Sequence, residues 1–359
     1  MALASTPESL FADRGGWVGV LAAISSSSVL DDVQMRGAVS DIFRGSATPV
    51  QIAAFAIGMR TKGETSSELA SALGAMREFS VDVPLTDDVR RRAMCTCGTG
   101  GDRSHSINIS TTAAFVVAGA GGLVCKHGGR ASSSLSGSAD VLESLGVALD
   151  VTPEGVAACI DTAGIGFCLA PRFHPAMRHA APVRRELGVA TMFNVLGPLA
   201  NPGNIKRQMV GVSDPTMARR MAEVLDKTGA THAWIVHGGD HLDEITTTTT
   251  TDVLELRDGV ITEFTIDPLD YGIARATTED FLGGTAEQNA TYLRRVLDGE
   301  PGAHRDIVVV NAAAGLVVAG LAGDLGEGLV LAARSIETGA AARALDGLVR
   351  TSNDFRAAS

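Results

Sequence analysis

A glycine-rich segment followed by a pair of hydroxyl residues has the clearest chemical meaning in this sequence. Residues 97–102 (CGTGGD) contain three glycines in four positions, so backbone N–H groups can approach a ligand directly. Ser110 and Thr111 then precede an apolar run at 113–118, which predicts a helix capped by this pair. A glycine loop at a helix N-terminus favours an anion, because N–H groups there are unpaired and the dipole is positive. We expect a phosphate site that is neither a Walker loop nor a G-x-G-x-x-G loop, with a plain tight turn as the alternative.

Further polar segments follow other predicted strands, where an open parallel sheet binds its ligands. Residues 126–134 (KHGGRASSS) offer a lysine, an arginine and hydroxyls to an oxyanion-rich ligand, with a flexible serine-rich linker as the alternative. Residues 170–177 and the arginines at 184–185 follow a third strand. A helix cap and a solvated helix face explain this last group equally well.

Two adjacent carboxylates, Asp243 and Glu244, follow a fourth predicted strand with no Lys or Arg beside them in sequence. Mg²⁺ prefers oxygen ligands and bridges to substrate phosphates, so this pair predicts a magnesium site. Asp240 is a weaker third ligand, and His237 and His241 argue only faintly for a softer metal. An acidic loop is the alternative.

Composition limits the classes of protein that fit. The 359 residues are 45% hydrophobic and 20% charged, as in a globular protein with room for two domains. The net charge of −11 argues against a nucleic-acid or anionic-membrane surface, so a phosphate site needs local basic residues or a metal. The N-terminus lacks a secretory pattern, and five cysteines without zinc spacing suggest reduced thiols in the cytoplasm. Cys95 and Cys97 are expected to flank the glycine loop without acting on a substrate.

The elements that position these residues are predicted from hydrophobic periodicity. Residues 1–93 show no strand, and capped helices are expected at 48–59 and 66–79. After residue 94, short apolar runs alternate with helical segments, which predicts a mostly parallel sheet. Expected strands are 122–125, 164–169, 233–236 and 307–310, with a hairpin turn at 256–260 and a strand entrance in the threonine run 246–251. The fold class is therefore α/β: a small α-helical N-terminal domain (1–93, with helices around 174–194 as a possible addition) and a large α/β domain (94–359).

Taken together, these segments resemble the anthranilate phosphoribosyltransferase family. The matching motifs occur in family order: 98–102 (GTGGD), 108–111 (NIST), 126–128 with Arg130, 136–143 (SGSADVLE), 174–177 (HPAM), 183–185 (VRR), 193–199 with 201–202, and 242–244 (LDE). One such motif is weak, whereas eight in order are specific.

The resemblance implies a reaction between phosphoribosyl pyrophosphate and anthranilate in tryptophan biosynthesis, with Mg²⁺ as cofactor, two ions per subunit. Residues implied to hold the phosphoribosyl donor are Gly98, Thr99, Gly100, Gly101, Asp102, Asn108, Ser110, Thr111, Lys126 and Ser138. Those implied to hold anthranilate are Gly98, Gly129 and Arg184, and the implied metal ligands are Ser110, Asp243 and Glu244. Gly100 and Gly101 are expected to turn their N–H groups toward the pyrophosphate leaving group. The family also implies a homodimer that pairs through the helical domain, with the active site at the hinge.

Two positions depart from the family pattern and keep other functions open. Gly129 stands where the family usually has an asparagine that contacts the acceptor, and Arg103 stands where a small residue is common. A phosphoribosyltransferase for a different aromatic amine is therefore one alternative. A pyrimidine-nucleoside phosphorylase is a second, disfavoured by Arg184 and the carboxylate pair, and a nucleic-acid-binding relative is a third, disfavoured by the net charge.

Overall fold

The computed structural model describes residues 6–131 and 135–357. Its N-terminal part is helical, as predicted, with six helices: α1 (Pro7–Asp13), α2 (Gly16–Ser25), α3 (Asp32–Arg44), α4 (Pro49–Lys62), α5 (Ser66–Glu78) and α6 (Asp87–Arg92). Thr48 and Thr65 cap α4 and α5, and each forms a capping box with the residue three positions on. The two helices predicted in this region are confirmed.

The rest of the chain builds the α/β domain. Its strands are β1 (Met94–Gly98), β2 (Val124–Gly128), β3 (Ile165–Leu169), β4 (Arg207–Gly211), β5 (His232–Gly238), β6 (Thr251–Arg257) and β7 (Val260–Ile266). Its helices are α7 (Ile109–Gly119), α8 (Ser138–Ser144), α9 (Pro153–Ala163), α10 (Ala170–Phe173), α11 (Ala181–Leu187), α12 (Met192–Leu199), α13 (Ala218–Lys227), α14 (Ala286–Leu297), α15 (Ala303–Ala319), α16 (Leu325–Glu337) and α17 (Ala340–Asp354).

The seven strands form one sheet in the order β3-β2-β1-β4-β5-β6-β7. The first five are parallel, and β6 and β7 add an antiparallel hairpin at one edge. The chain reverses in that hairpin at Asp258 and Gly259, whose φ values of 50° and 82° suit a tight hairpin turn, as predicted. The carboxyl ends of β1, β2 and β5 therefore meet at one side of the sheet.

Alternating side chains bury the sheet between two helical layers. On β4 and β5, Met209 and Trp234 face the core formed with α7 and α14–α17, whereas Val210 and Ile235 face the opposite core. That second core contains the N-terminal helices together with α11, α12 and α13. Within the described residues, no helix is long and apolar enough to cross a membrane.

Two secondary-structure predictions were wrong. Residues 307–310 are not a strand but the buried first half of α15, because a short run of β-branched residues buried on all sides gives no helical or strand periodicity. The threonine run enters β6 only at Thr251, and Thr246 to Thr250 form a loop. The strand β4 was not predicted, since only Met209 and Val210 are apolar in its five residues.

Candidate active site

A cavity of about 220 Å³ opens beyond the carboxyl ends of β1, β2 and β5. Nearly all the residues predicted to hold the donor and the metal line it: Gly98, Gly100, Gly101, Asp102, Asn108, Ser110, Thr111, Ser138, Asp243 and Glu244. These residues come from four separate segments of the chain, which the parallel topology brings together at one edge of the sheet.

The glycine loop takes a conformation that requires glycine. Gly100 and Gly101 have φ values of +66° and +83°, in the left-handed region that other residues rarely adopt. We expected the N–H of Gly100 to face the pyrophosphate leaving group. In this structure it donates a hydrogen bond to Oδ2 of Asp243 at 2.7 Å. The loop is an anion site whose anion in this structure is a carboxylate of the protein itself.

The start of α7 shows the same arrangement. The helix begins at Ile109, so Ser110 and Thr111 lie in its first turn and do not cap it, contrary to the prediction. Asn108 is the N-cap and makes no side-chain cap hydrogen bond. The N–H of Ser110 instead donates to Oε1 of Glu244 at 3.0 Å, so that a distant carboxylate satisfies the helix end.

Two glycines leave the space that Asp243 occupies. A Cβ atom on Gly98 would lie 2.3 Å from Oδ2 of Asp243, and one on Gly211 would lie 1.5 Å from its main-chain oxygen. Gly98 ends β1 and Gly211 ends β4. The lack of side chains at both strand ends therefore allows the acidic loop after β5 to pack against the glycine loop.

Burial and a neighbouring negative charge make each of these carboxyl groups a weaker acid than usual. Burial, followed by the charge of Asp102, raises the pKa of Asp243 to about 7. Burial, followed by the charge of Asp243, raises the pKa of Glu244 to about 8, while the nearby ammonium of Lys126 opposes this shift. Crowded carboxylates with so little compensating charge form an electrostatic environment that favours a cation.

The donor set fits magnesium held jointly with a phosphorylated substrate. Mg²⁺ usually takes only one or two carboxylates from the protein and completes its shell with waters and phosphate oxygens. Asp243, Glu244 and the hydroxyl of Ser110 would supply such a partial shell. Over the described parts of the chain, no group of three or more His, Cys, Asp or Glu is arranged to hold a metal ion without other ligands.

Buried polar contacts fix the loop that carries these carboxylates. Oδ2 of Asp240 accepts hydrogen bonds from the hydroxyls of Thr246 (2.7 Å) and Thr248 (2.6 Å), so Asp240 is a loop anchor here. Oδ1 of Asn311, on α15, accepts a hydrogen bond from the N–H of Ile245 at 2.9 Å, and Nδ2 of Asn311 donates to the carbonyl of Ile245 at 2.8 Å. The residue directly after Glu244 is therefore fixed by both of its main-chain polar groups.

Lys126 lies under the cavity and is almost fully buried. Its Nζ donates to the carbonyl of Thr96 at 2.7 Å and lies 3.4 Å from Oγ of Ser110. A buried ammonium beside Glu244 supplies positive charge close to the carboxylates, and Arg103 lines the same cavity.

The segment after β2 is only partly arranged as expected. Oγ of Ser138 donates to the carbonyl of Gly129 at 3.3 Å, which ties the start of α8 to the end of β2. Arg130 pairs with Asp140 (2.9 Å) and Glu143 (2.7 Å), so its guanidinium is already neutralised and is not free for an oxyanion. The predicted hydroxyls at 132–134 lie outside the described residues.

Arg184 lies farther from the cavity, on α11. Its guanidinium donates to Oδ1 of Asn194 at 3.2 Å and stacks over the ring of Phe193, with 5.7 Å to the centroid. Within the described residues, no hydrogen bond joins Arg184 to Gly98 or Gly129. Asn194 lines a second cavity of about 580 Å³, which also contains Thr99, Gly100 and Gly101.

Several residues at the site were assigned no role from sequence. Oγ of Ser213, just after the unpredicted β4, donates to the carbonyl of Gly100 at 3.0 Å.

His127 and His174 lie with ring centroids 5.0 Å apart, and each has one ring nitrogen without a partner within the described residues. Burial lowers the pKa of His127 to about 3 and that of His174 to about 4, so both rings are neutral. His127 and His174 lie in two of the motifs identified in the sequence, whereas Ser213 follows an unpredicted strand and has no sequence signal.

Known proteins share this fold. Residues 90–342 match the model described as "Glycosyl transferase family, a/b domain", and residues 19–80 match its "helical bundle domain". The anthranilate phosphoribosyltransferase of Symbiobacterium thermophilum is 48% identical over 95% of this chain and 99% of its own length. That of Thiobacillus denitrificans is 50% identical over 90% and 94% of the two chains. The crystal structure of the Thermus thermophilus enzyme superposes with a TM-score of 0.87 at 38% identity, covering 93% of this chain and 99% of that one.

The helical bundle, the sheet and the cavity at the strand ends define a glycosyltransferase of the pentosyltransferase class. Within this class, the chain belongs to the anthranilate phosphoribosyltransferase family. A Saccharomyces cerevisiae member, whose structure is described as a complex with PRPP and Mg, shares the fold with a TM-score of 0.84 at 24% identity.

Proposed function

We propose that this chain transfers the phosphoribosyl group of phosphoribosyl pyrophosphate to the amine of anthranilate, with release of pyrophosphate. The observation that supports this most is the junction of Asp243 with Gly100 and of Glu244 with Ser110 at one cavity. This junction combines an anion-binding loop with a cation-binding pair, as a magnesium–pyrophosphate group requires.

The donor would lie in the cavity of about 220 Å³. We assign it the glycine loop, Asp102, the first turn of α7 with Asn108, the buried Lys126, and Ser138. Thr99 opens toward the second cavity and would contact the donor from that side. When the donor binds, its oxygens would replace the Asp243 and Glu244 carboxylates as acceptors of the Gly100 and Ser110 N–H groups.

Asp243, Glu244 and the Ser110 hydroxyl would hold Mg²⁺, which we propose binds as two ions per subunit. When bound, Mg²⁺ supplies Lewis-acid stabilisation of the charge that develops on the leaving pyrophosphate. The Lys126 ammonium, 3.4 Å from the Ser110 hydroxyl, would stabilise the same negative charge from below.

Anthranilate would lie between Gly98, Gly129 and Arg184. Arg184 would pair with the carboxylate, a role that fits a guanidinium already partly desolvated and stacked on Phe193. The amine of anthranilate is a nucleophile once it is oriented, so the chain needs no protein nucleophile and acts by positioning and electrostatics. Among the described residues, none comes within 4 Å of a Cβ built on Gly129, which favours a second candidate, a phosphoribosyltransferase for a different aromatic amine.

We also propose the domain boundary near residue 93 and a homodimer formed through the helical domain. Residues of 176–200 share a hydrophobic core with the N-terminal helices, which supports adding this segment to the helical domain. Several large apolar side chains of the N-terminal region are exposed, including Leu10, Val18, Val29 and Val50. Light scattering during size-exclusion chromatography should give twice the chain mass of 37.0 kDa.

The reaction can be tested by product identity. With phosphoribosyl pyrophosphate and Mg²⁺, pyrophosphate release followed by phosphorus NMR should require anthranilate. Release that is faster with another aromatic amine would favour the second candidate. Uracil release from uridine and phosphate, without anthranilate-dependent turnover, would show a nucleoside phosphorylase instead.

A further inference from the structure

A buried asparagine of α14, Asn289, contacts one of the proposed donor-binding residues from behind. Its Nδ2 donates to Oδ1 of Asn108 at 2.8 Å, although the two residues lie 181 positions apart. Asn289 is 3% exposed and does not line the cavity, whereas Asn108 does. Asn289 therefore contacts a cavity-lining residue, Asn108, without reaching the cavity itself.

The hydrogen-bond network determines the orientation of both amides. The N–H of Gly284 donates at 2.8 Å to one terminal atom of Asn289, so this atom must be the oxygen. The other terminal atom of Asn289 is then the NH₂ group, and the atom of Asn108 that it faces must be an acceptor. The NH₂ group of Asn108 is consequently on its far side, where it donates to the carbonyl of Ser136 at 3.3 Å.

This orientation matters for an anionic ligand. The NH₂ group of Asn108 carries two hydrogens, and the Ser136 carbonyl takes one of them. Within the described residues, no acceptor takes the other hydrogen, which is available to an acceptor in the cavity, such as a phosphate or ribose oxygen. With the amide reversed, Asn108 would present an oxygen to the donor, and like partial charges would repel.

We propose that Asn289 is a positioning residue, which fixes the Asn108 amide with its NH₂ group toward the donor. This inference rests on the proposed function, because it assumes that the cavity binds phosphoribosyl pyrophosphate. Gly284 acts through Asn289, and Asn289 acts through Asn108. The far C-terminal part of the chain thereby contributes to donor recognition without touching the donor.

Asn289→Asp is the sharpest variant, since it keeps the size and the acceptor for Gly284 but replaces the NH₂ group with an oxygen. The Asn108 amide should then reverse to donate to the new carboxylate. We expect the KM for phosphoribosyl pyrophosphate, and its Kd by calorimetry, to rise about tenfold, while the KM for anthranilate changes less than twofold.

Asn289→Ala frees the Asn108 amide without reversing it, and the KM for phosphoribosyl pyrophosphate should rise only about threefold. Asn353→Asp, which alters a helical asparagine that donates to the Gly146 carbonyl far from the cavity, should leave both KM values unchanged.

A double-mutant cycle separates reversal of the amide from simple charge repulsion. In an Asn108→Ala background, Asn289→Asp should weaken donor binding by less than twofold, because no amide remains to reverse. An equal loss in both backgrounds would overturn the proposal, as would Asn289→Ala weakening donor binding as much as Asn289→Asp. If Asn289→Asp does not fold, Asn289→Ala decides alone: equal increases in both KM values, or no change in the donor KM, would overturn it. If the unmutated chain fails to bind phosphoribosyl pyrophosphate in the calorimeter, the proposed function fails first, independently of any variant.

Discussion

The N–H of Gly100 donates a hydrogen bond to Oδ2 of Asp243 at 2.7 Å across 143 residues of sequence. This contact joins the anion-binding loop after β1 to the cation-binding loop after β5. Each proposed half of the donor site thus satisfies the other in this structure.

Gly211 is expected to be essential for placing Asp243. In a Gly211→Ala variant, the new Cβ would lie 1.5 Å from the main-chain oxygen of Asp243, so the acidic loop must move. We expect at least a hundredfold loss of kcat/KM and a loss of unfolding free energy of about 3 kcal/mol, as for severe overpacking. Urea denaturation and steady-state kinetics measure the two effects. Gly326→Ala in α16 serves as the control, because its Cβ would lie 3.3 Å from Oδ1 of Asp324, a contact that a shift of a few tenths of an ångström relieves, and equal behaviour of the two variants would contradict the account.

Asn311 is expected to support magnesium binding by holding Ile245. An Asn311→Ala variant leaves the N–H and the carbonyl of Ile245 unpaired, which should cost about 1–3 kcal/mol of unfolding free energy for each group. The Mg²⁺ concentration for half-maximal activity should rise several-fold, since Glu244 is the preceding residue. Asn353→Ala is the matched control. An unchanged Mg²⁺ requirement in Asn311→Ala would mean that Asn311 serves stability alone.

The predictability of the site differed sharply between its polar segments. That the glycine loop and Asp243-Glu244 lie at one cavity was predictable, because the carboxyl ends of parallel strands meet at the same edge of a sheet. Their direct contact was not, since it depends on Gly98 and Gly211 leaving space across two strands. The roles of Asn289 and Asn311 were also hidden, because a single asparagine in a helix has no recognisable pattern. Residues 307–310 were misread as a strand for a related reason: burial on every side removes the periodicity that distinguishes a helix.

The two buried histidines predict a loss of stability in acid. Burial lowers the pKa of His127 to about 3 and of His174 to about 4, well below an unfolded value near 6.5. Between these pKa values the unfolded chain binds more protons than the folded chain. The contribution of the two neutral histidines to the free energy of unfolding is therefore full above pH 6.5 and declines as the pH falls. At pH 5 the free energy of unfolding should be lower than at pH 7 by about 2 kcal/mol per histidine. Urea denaturation at the two pH values should show a smaller difference for His174→Gln than for the unmutated chain, and an unchanged difference would contradict the assigned pKa shift.

Gly129 is expected to tune recognition of the acceptor. No atom of residues 6–131 or 135–357 lies within 4 Å of a Cβ built there, so an asparagine fits without displacing these neighbours. Gly129→Asn should change the KM for anthranilate by several-fold and the KM for phosphoribosyl pyrophosphate by less than twofold, because the added amide can hydrogen-bond the acceptor. Gly129→Ala, which adds a side chain without the amide, should have little effect on either. Equal changes in both KM values for Gly129→Asn would remove Gly129 from the acceptor site.

The most direct measurement is the fluorescence of anthranilate after addition of phosphoribosyl pyrophosphate and Mg²⁺. For the unmutated chain, we predict a loss of fluorescence that requires both additions, and for Asp243→Ala a rate at least a hundredfold lower. Asp252→Ala, at an exposed position of β6, should match the unmutated chain. Full activity in Asp243→Ala would contradict only the metal-binding role of this carboxylate. Unchanged fluorescence with the unmutated chain would contradict the proposed reaction itself.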